Sequence, residues 1–372
     1  MSLKLKKIWI DIEQPKTAVM FQSLIKKFEN EQSQLMVTAR DYDSTFQILD
    51  ENYIDYIKVG KHGGQKLEDK LITYIDRLKQ LFPLVMRFSP DYFVTFLSIE
   101  GTRIAYGLKI PSIGINDEPR NEPVCKLLHP FLGNIITPEC IPIEHYIRLH
   151  ADPEKIIRYN GLDEIAWLSD YIPNPNALDK FDLEKGNYLL IRSEPTHASY
   201  FIDKLRPDKT MIIDFFPAIY KEFPNHKYIL LVRSEIQKQF LLGKCKDIIP
   251  EKNVILTQYI PNIVDILFYG ALIISGGGTI VRESSLLNVP SIEYFPGDSA
   301  PQERFLIKNG FPLQHIKNIE ELVNNALDIL SKGPTSDRFK INSFKEKIRQ
   351  FENPIEVCFD FVKSKLIKGK LN

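Results

Sequence analysis

Charge of one sign, paired cysteines and long apolar runs are what this chain of 372 residues has little of. Lys+Arg and Asp+Glu stand at 48 each, for a formal net charge of zero. That balance argues against a protein built mainly to hold nucleic acid and leaves only a local basic patch as a route to it. The four cysteines, Cys125, Cys140, Cys245 and Cys358, include no Cys-x-x-Cys pair. Neither a zinc site nor a disulfide framework is therefore expected, and they read as core thiols. With no clustered His/Cys site, no metal is expected. The longest apolar-rich stretch, 263–274, contains Asp265 and Gly270 and falls far short of the ~20 residues a bilayer span requires. Residues 1–7 are polar and basic, and only Ile8-Trp9-Ile10 follow before Asp11, too little for the apolar core of a signal peptide. A cytoplasmic location and no transmembrane segment are the expectations.

What is present is ordinary for a folded protein: 44% hydrophobic and 26% charged residues. The length exceeds the usual size of one core and suggests two domains. Short β-rich runs alternate with helical ones: strands at 7–12, 34–39, 53–59, 92–96, 112–115 and 134–137, with helices over 17–28 and 67–87. The rhythm breaks in the Pro-containing stretch 160–187 and then restarts, with strands at 188–192, 228–232, 254–256, 272–275 and 291–294. Helices near 211–222, 235–242, 263–269, 279–287, 302–308, 319–330 and 354–366 follow or separate them. Such alternation is the signature of parallel sheets with helices on both faces. The expected organisation is an N-terminal Rossmann-like domain over 1–165, a linker over 166–186, a second such domain over 187–352, and a C-terminal helix over 353–372 that packs back across the domains. Two doubly wound domains of this kind are expected to face a central cleft at the carboxyl ends of their strands, where such folds place ligands.

The most informative run is Ile273-Ile274-Ser275-Gly276-Gly277-Gly278-Thr279-Ile280-Val281-Arg282-Glu283. It reads as strand, tight loop, helix. Consecutive glycines permit φ > 0 and let a backbone come close to a ligand. The helix that follows directs free N–H groups and its positive end at whatever sits over the loop. A phosphate or diphosphate suits that place; the alternative is a turn that only packs strand on helix. Thr279 is a candidate helix cap and phosphate contact. Arg282 is a bidentate partner for a diphosphate or a surface arginine.

These motifs, with Glu283 seven residues before Pro290 and Leu286-Leu287-Asn288-Val289-Pro290-Ser291-Ile292 after it, resemble the GT-B superfamily of nucleotide-sugar glycosyltransferases and non-hydrolysing UDP-N-acetylglucosamine 2-epimerases. More narrowly, Trp9-Ile10-Asp11, Gly114-Ile115-Asn116-Asp117-Glu118, Ile136-Thr137-Pro138-Glu139, Asn160-Gly161-Leu162-Asp163-Glu164, Arg192-Ser193-Glu194-Pro195-Thr196-His197 and Phe295-Pro296-Gly297 resemble an uncharacterised prokaryotic family related to those epimerases. The resemblance implies that the glycine loop and helix N-terminus hold a diphosphate and that Glu283 grips the ribose. It implies an α/β, GT-B-like fold and a nucleoside diphosphate sugar, UDP-linked, as substrate, with no separate cofactor. Two departures stand out. The loop after the first strand, Asp11-Ile12-Glu13-Gln14-Pro15-Lys16-Thr17, has no histidine and no glycine, and Asn288 stands where the family has glycine.

The expected nucleotide contacts are Arg192, Ser275, Gly276, Gly277, Gly278, Thr279, Arg282 and Glu283. The expected proton-transfer groups are Asp117, Glu118, Glu122 and His197. His197 follows the first strand of the second domain, where the related epimerases carry a functional histidine; a structural hydrogen-bonding role is the alternative. Asp117, Glu118 and Glu122 crowd one loop, and clustered carboxylates raise one another's pKa; capping of the next helix is the alternative. The reading is a metal-independent GT-B glycosyltransferase with an unassigned acceptor. Epimerisation of a UDP-amino sugar is the second reading, and a non-catalytic sugar-nucleotide sensor or scaffold the third.

Overall fold

The computed structural model describes residues 6–64, 66–194, 209–249 and 251–368. It divides into two compact units: residues 1–167 with 351–372, and residues 168–350.

The first unit carries seven parallel strands: β1 (Lys7–Ile12), β2 (Gln34–Asp41), β3 (Ile57–Lys61), β4 (Tyr92–Thr95), β5 (Ser112–Ile115), β6 (Asn134–Pro138) and β7 (Ile156–Tyr159). Their order is β3-β2-β1-β4-β5-β6-β7. The central strand β1 is buried along Ile8–Ile12, as a parallel strand covered on both faces requires. Pro15 opens the helix Pro15–Asn30 at a position where its missing N–H costs nothing. The buried residues Ala18, Phe21, Leu24, Ile25 and Phe28 then recur at helical spacing toward the sheet. The C-terminal helix Pro354–Lys368 completes this core. Ile355, Cys358 and Val362 are buried within it, and Phe359 lies 5.2 Å from Phe28, ring to ring.

The second unit carries β8 (Tyr188–Arg192), β9 (Lys227–Leu231), β10 (Val254–Thr257), β11 (Leu272–Ser275), β12 (Ser291–Tyr294) and β13 (Leu313–Ile316). All pairings are parallel, in the order β10-β9-β8-β11-β12-β13. The stretch before β8 belongs to this unit's packing: the Tyr171 hydroxyl and the Asn174 N–H both donate to Asp265, at 2.7 and 2.8 Å.

Three elements depart from the sequence expectation. The strand expected from residue 53 begins only at Ile57, because Tyr53 is in the left-handed region at φ 55°. The edge strands β7 and β13 were not anticipated. Each has four residues, and β13 is half polar with Gln314 and His315, so neither shows the continuous apolar run of a central parallel strand. Among the described residues no helix is long and apolar enough to cross a membrane.

Candidate functional site

In each sheet one strand separates two directions of winding: β1 lies between β2 and β4, and β8 between β9 and β11. Open α/β sheets bind ligands in the crevice outside the carboxyl ends of the strands at such a switch point. In the second unit the loops there follow β8, which ends at Arg192, and β11, which leads into the glycines.

The β11 loop is tightly held. Gly276 N–H donates to the Arg192 carbonyl at 3.3 Å. The Ser275 hydroxyl accepts from Gly277 N–H and donates to the Gly277 carbonyl, both at 3.1 Å. Contrary to the sequence expectation, none of the three glycines has a positive φ. Two of them face crowding instead. A Cβ on Gly276 would lie 2.6 Å from the Glu194 Cβ, and one on Gly278 would run into the ends of Glu303 and Arg282. The helix Gly278–Leu286 starts at Gly277 with no side-chain cap, so Thr279 lies inside the first turn and does not cap it. The first N–H groups of this helix thus lack a side-chain acceptor of the capping kind.

Arg282 is not a surface residue. It is 5% exposed, and its Nη1 donates to Glu303 Oε1 at 2.8 Å. The other oxygen of Glu303 is buried with no hydrogen-bond partner. Glu283 is buried in the same helix. Asn288 adopts φ 63°, the left-handed conformation that asparagine tolerates best after glycine, which explains how it stands in for the family glycine.

The loop after β8 is anchored by buried polar groups. Ser193 Oγ donates to Gln237 at 2.8 Å. Glu194 accepts from Thr210 Oγ1 and from Met211 N–H, each at 3.1 Å. Burial raises the Glu194 pKa against those bonds. His197 lies outside the described residues. Beyond it, His315 donates to Glu293 at 2.7 Å and to the Gly297 carbonyl at 3.0 Å, and the Glu293 bond raises its pKa.

In the first unit the loop lacking histidine and glycine is rich in charge contacts. Lys16 Nζ lies 2.6 Å from Asp117 and 2.8 Å from Asp163, above the ring of Phe96 at 4.9 Å. Burial, then repulsion from Asp117, pushes the Asp163 pKa up to about 7 against the pull of Lys16. Glu13 accepts from Thr17 Oγ1 at 2.8 Å and from Leu97 N–H at 3.2 Å. Its Oε2 is buried without a partner, and burial raises its pKa to about 7. Beneath this loop Arg77, fully buried, makes a bidentate pair with Asp11 at 2.7 and 3.0 Å.

Asp117, Glu118 and Glu122 each meet a different cation. Asp117 turns to Lys16, Glu118 is held bidentately by Arg120 at 2.6 Å, and Glu122 pairs with Arg148 at 2.9 Å. The carboxylate that joins Asp117 is Asp163, through Lys16. An Asp-x-Asp spacing occurs at Asp41-Tyr42-Asp43, but all three residues are exposed, and no cluster of three or more His, Cys, Asp or Glu among the described residues could hold a metal ion.

The family described as "Protein of unknown function (DUF354)" matches residues 6–366. The chain belongs to that family. An uncharacterized protein of Methanocaldococcus jannaschii is 27% identical over 364 residues, covering 95% of this chain and 97% of its own. Two solved structures share the fold of this DUF354 chain. The UDP-GlcNAc 2-epimerase of the same organism, in complex with UDP-GlcNAc and UDP, is 16% identical, covers 94% of this chain and 95% of its own, and has a TM-score of 0.64. The glycotransferase of kitacinnamycin is 12% identical, covers 98% and 100%, and has a TM-score of 0.58. The fold is thus of the GT-B type, with epimerases and glycosyltransferases as structural neighbours.

Sequence reasoning on this DUF354 chain missed Glu13, Lys16, Asp163, Glu303 and His315. Signals existed for some of them. Lys16 follows a proline that opens a helix at the end of β1, and Asp163 lies in one of the family-like pieces. Glu303 and His315 carry no local signature; only the packing of residues 278–316 brings them to the end of the second sheet.

Proposed function

We propose that this protein binds a nucleoside diphosphate sugar, UDP-linked, through its second unit and acts on the sugar's C1–O bond. The observation that carries this is the uncapped helix Gly278–Leu286, opened by Gly276–Gly278 at the switch point of its sheet. In this reading the diphosphate rests on the first-turn N–H groups, where a helix N-terminus favours an anion. Ser275 and Thr279 flank it, and Arg192 and Arg282 supply positive charge. Glu283 binds the ribose hydroxyls. Charge that develops on the diphosphate as the C1–O bond breaks is stabilised by donors already in place.

Transfer of the sugar to an acceptor hydroxyl is the reaction we favour. The bond to C1 passes from the diphosphate oxygen to the acceptor oxygen, and the acceptor proton goes to a carboxylate of the first unit, Asp117, Glu118 or Glu122. Epimerisation at C2 is the second reading. It is favoured by the Asp117–Lys16–Asp163 cluster, since an acid held near pH 7 suits removal and return of a proton. His197 remains a proposed proton-transfer group in both.

A thermal-shift screen with UDP, GDP, CMP and dTDP and their sugars tests the binding step. Ligand at 100 times its Kd stabilises by about 2.7 kcal/mol, which at roughly 2–4 °C per kcal/mol is readily seen. The expected result is a shift with UDP and its sugars that Glu283→Ala removes. No shift with any nucleotide would contradict the proposal. NMR of the bound sugar nucleotide then separates the reactions: acceptor-dependent release of UDP means transfer, and a new epimer without acceptor means epimerisation.

A further inference from the structure

β12 ends at Tyr294, and a short loop, 295–300, leads from it into the helix Pro301–Lys308. Because β12 pairs in parallel with β11, this loop leaves the same carboxyl edge of the sheet as the glycine loop, one strand away. The helix it opens carries Glu303, which holds Arg282 at 2.8 Å and lies against Gly278. The loop is therefore the link between β12 and the residue that positions Arg282.

His315 holds the middle of this loop. It stands opposite Glu293 in the register of β13 and β12, and both of its ring nitrogens face acceptors. Nδ1 lies 2.7 Å from Glu293 Oε2, and Nε2 lies 3.0 Å from the Gly297 carbonyl. The two side chains are only 12% and 7% exposed. A neutral imidazole has one N–H and one lone pair. Beside an ionised Glu293 it can serve one of these oxygens and turns a lone pair on the other. The imidazolium serves both. Charge near the ring otherwise comes from Lys317, which opposes the ring's proton, and from Asp298, which favours it. Those two pair with each other at 2.7 Å, and Arg304 on the following helix acts on Asp298 and donates to the Ser299 carbonyl. The Phe295 ring packs so close to Gly297 that a Cβ there would lie 2.4 Å from it.

We propose that His315 is a positioning residue: by donating from both ring nitrogens at once it locks the loop beside the nucleotide helix, and the lock opens when the ring loses a proton. The bond kept is the charge-assisted one to Glu293. The proton that leaves for water is the one on Nε2, and the bond that breaks is the one to Gly297. The Glu293 bond raises the His315 pKa from its ordinary 6.5. The lock is thus fully present below that value and is lost as pH rises through the raised one. The positioning role rests on the nucleotide reading above; the lock itself does not.

NMR of the full chain without nucleotide tests the lock. The pair Gly-Asp occurs once, at Gly297-Asp298, so glycine labelled at its carbonyl carbon and aspartate labelled at nitrogen give one signal that reports on the Gly297 carbonyl. Between about pH 6 and 9 that signal is expected to move through one titration with its midpoint above the ordinary histidine value. Glu293→Gln separates the lock from a plain structural bond. Its amide N–H donates to Nδ1, the neutral ring keeps Nε2–H for Gly297, and the signal stays at its low-pH position throughout. In His315→Leu it stays at the high-pH position; should that variant fail to fold, Glu293→Gln decides. A wild-type signal that does not move, or a Glu293→Gln signal that titrates or sits at the high-pH position, would overturn the lock. UDP titrations of wild type and Glu293→Gln at about pH 6.5 and 8.5 test the positioning role, the comparison cancelling the nucleotide's own titration. Relative to Glu293→Gln, the wild type is expected to bind UDP roughly three- to ten-fold more weakly at the higher pH, the worth of one hydrogen bond. A ratio that does not change with pH would overturn the positioning role. UDP that binds neither protein would overturn the nucleotide reading and that role with it, while the carbonyl titration still decides the lock.

Discussion

Glu13 and Gly276 show how single residues bear on this protein's behaviour. Glu13 is buried with one carboxyl oxygen unpartnered, and its pKa rises from 4.5 to about 7. In the unfolded chain it releases its proton near its ordinary value, so between pH 4.5 and 7 the unfolded state binds fewer protons than the folded one. The contribution is full below that window, and stability falls as pH rises through it, by up to about 3 kcal/mol. Urea midpoints from pH 5 to 8 are expected to fall with pH in the wild type and to fall less steeply in Glu13→Gln, where the raised Asp163 still contributes. Gly276→Ala is expected to cost about 1–3 kcal/mol, because its methyl group would press on the Glu194 Cβ; equilibrium unfolding checks it. Legibility at this scale was mixed. The glycines were visible in sequence, but the reason for them was not: crowding by residues 82 and 25 positions away replaces the expected positive φ. Glu13 and Lys16 lay in a loop read for what it lacked, and a carboxylate's burial and partners depend on strands far along the chain.

Elements were more legible than the residues they position. Central strands such as β1, β8 and β11 are continuous apolar runs between turn residues, and the long helices have clear periodicity, so both followed from the sequence. The edge strands β7 and β13 did not, since four residues interrupted by Arg158 in β7 and by Gln314 and His315 in β13 resemble a loop. The C-terminal helix was legible as a helix, while its place in the first unit rests on the contact of Phe359 with Phe28, separated by more than three hundred residues. Phe359→Ala is expected to destabilise the first unit by about 3 kcal/mol. Hydrogen exchange is the check: amides of the helix Pro15–Asn30 and of β1 should exchange faster, and those of β8 to β13 should not change. The buried Arg77–Asp11 pair sets a second expectation. Arg77→Met alone leaves a buried carboxylate and should cost about 3–5 kcal/mol, whereas Asp11→Asn/Arg77→Met together should cost less. A double-mutant cycle in urea measures the difference.

At the scale of the whole molecule, two doubly wound sheets and the solved structural neighbours give a GT-B fold, and the sequence already implied that through motifs spread over both halves. Where the proposed chemistry lies rests on topology. The switch point of the second sheet brings Arg192 and the glycine loop together, with Gly276 N–H on the Arg192 carbonyl. The most direct measurement of the central claim is hydrogen exchange by mass spectrometry with and without saturating UDP. Protection is expected over residues 275–284, where the helix N–H groups take up the diphosphate, and it should be lost in Glu283→Ala. UDP binding that leaves exchange over 275–284 unchanged while protecting another segment would contradict the account.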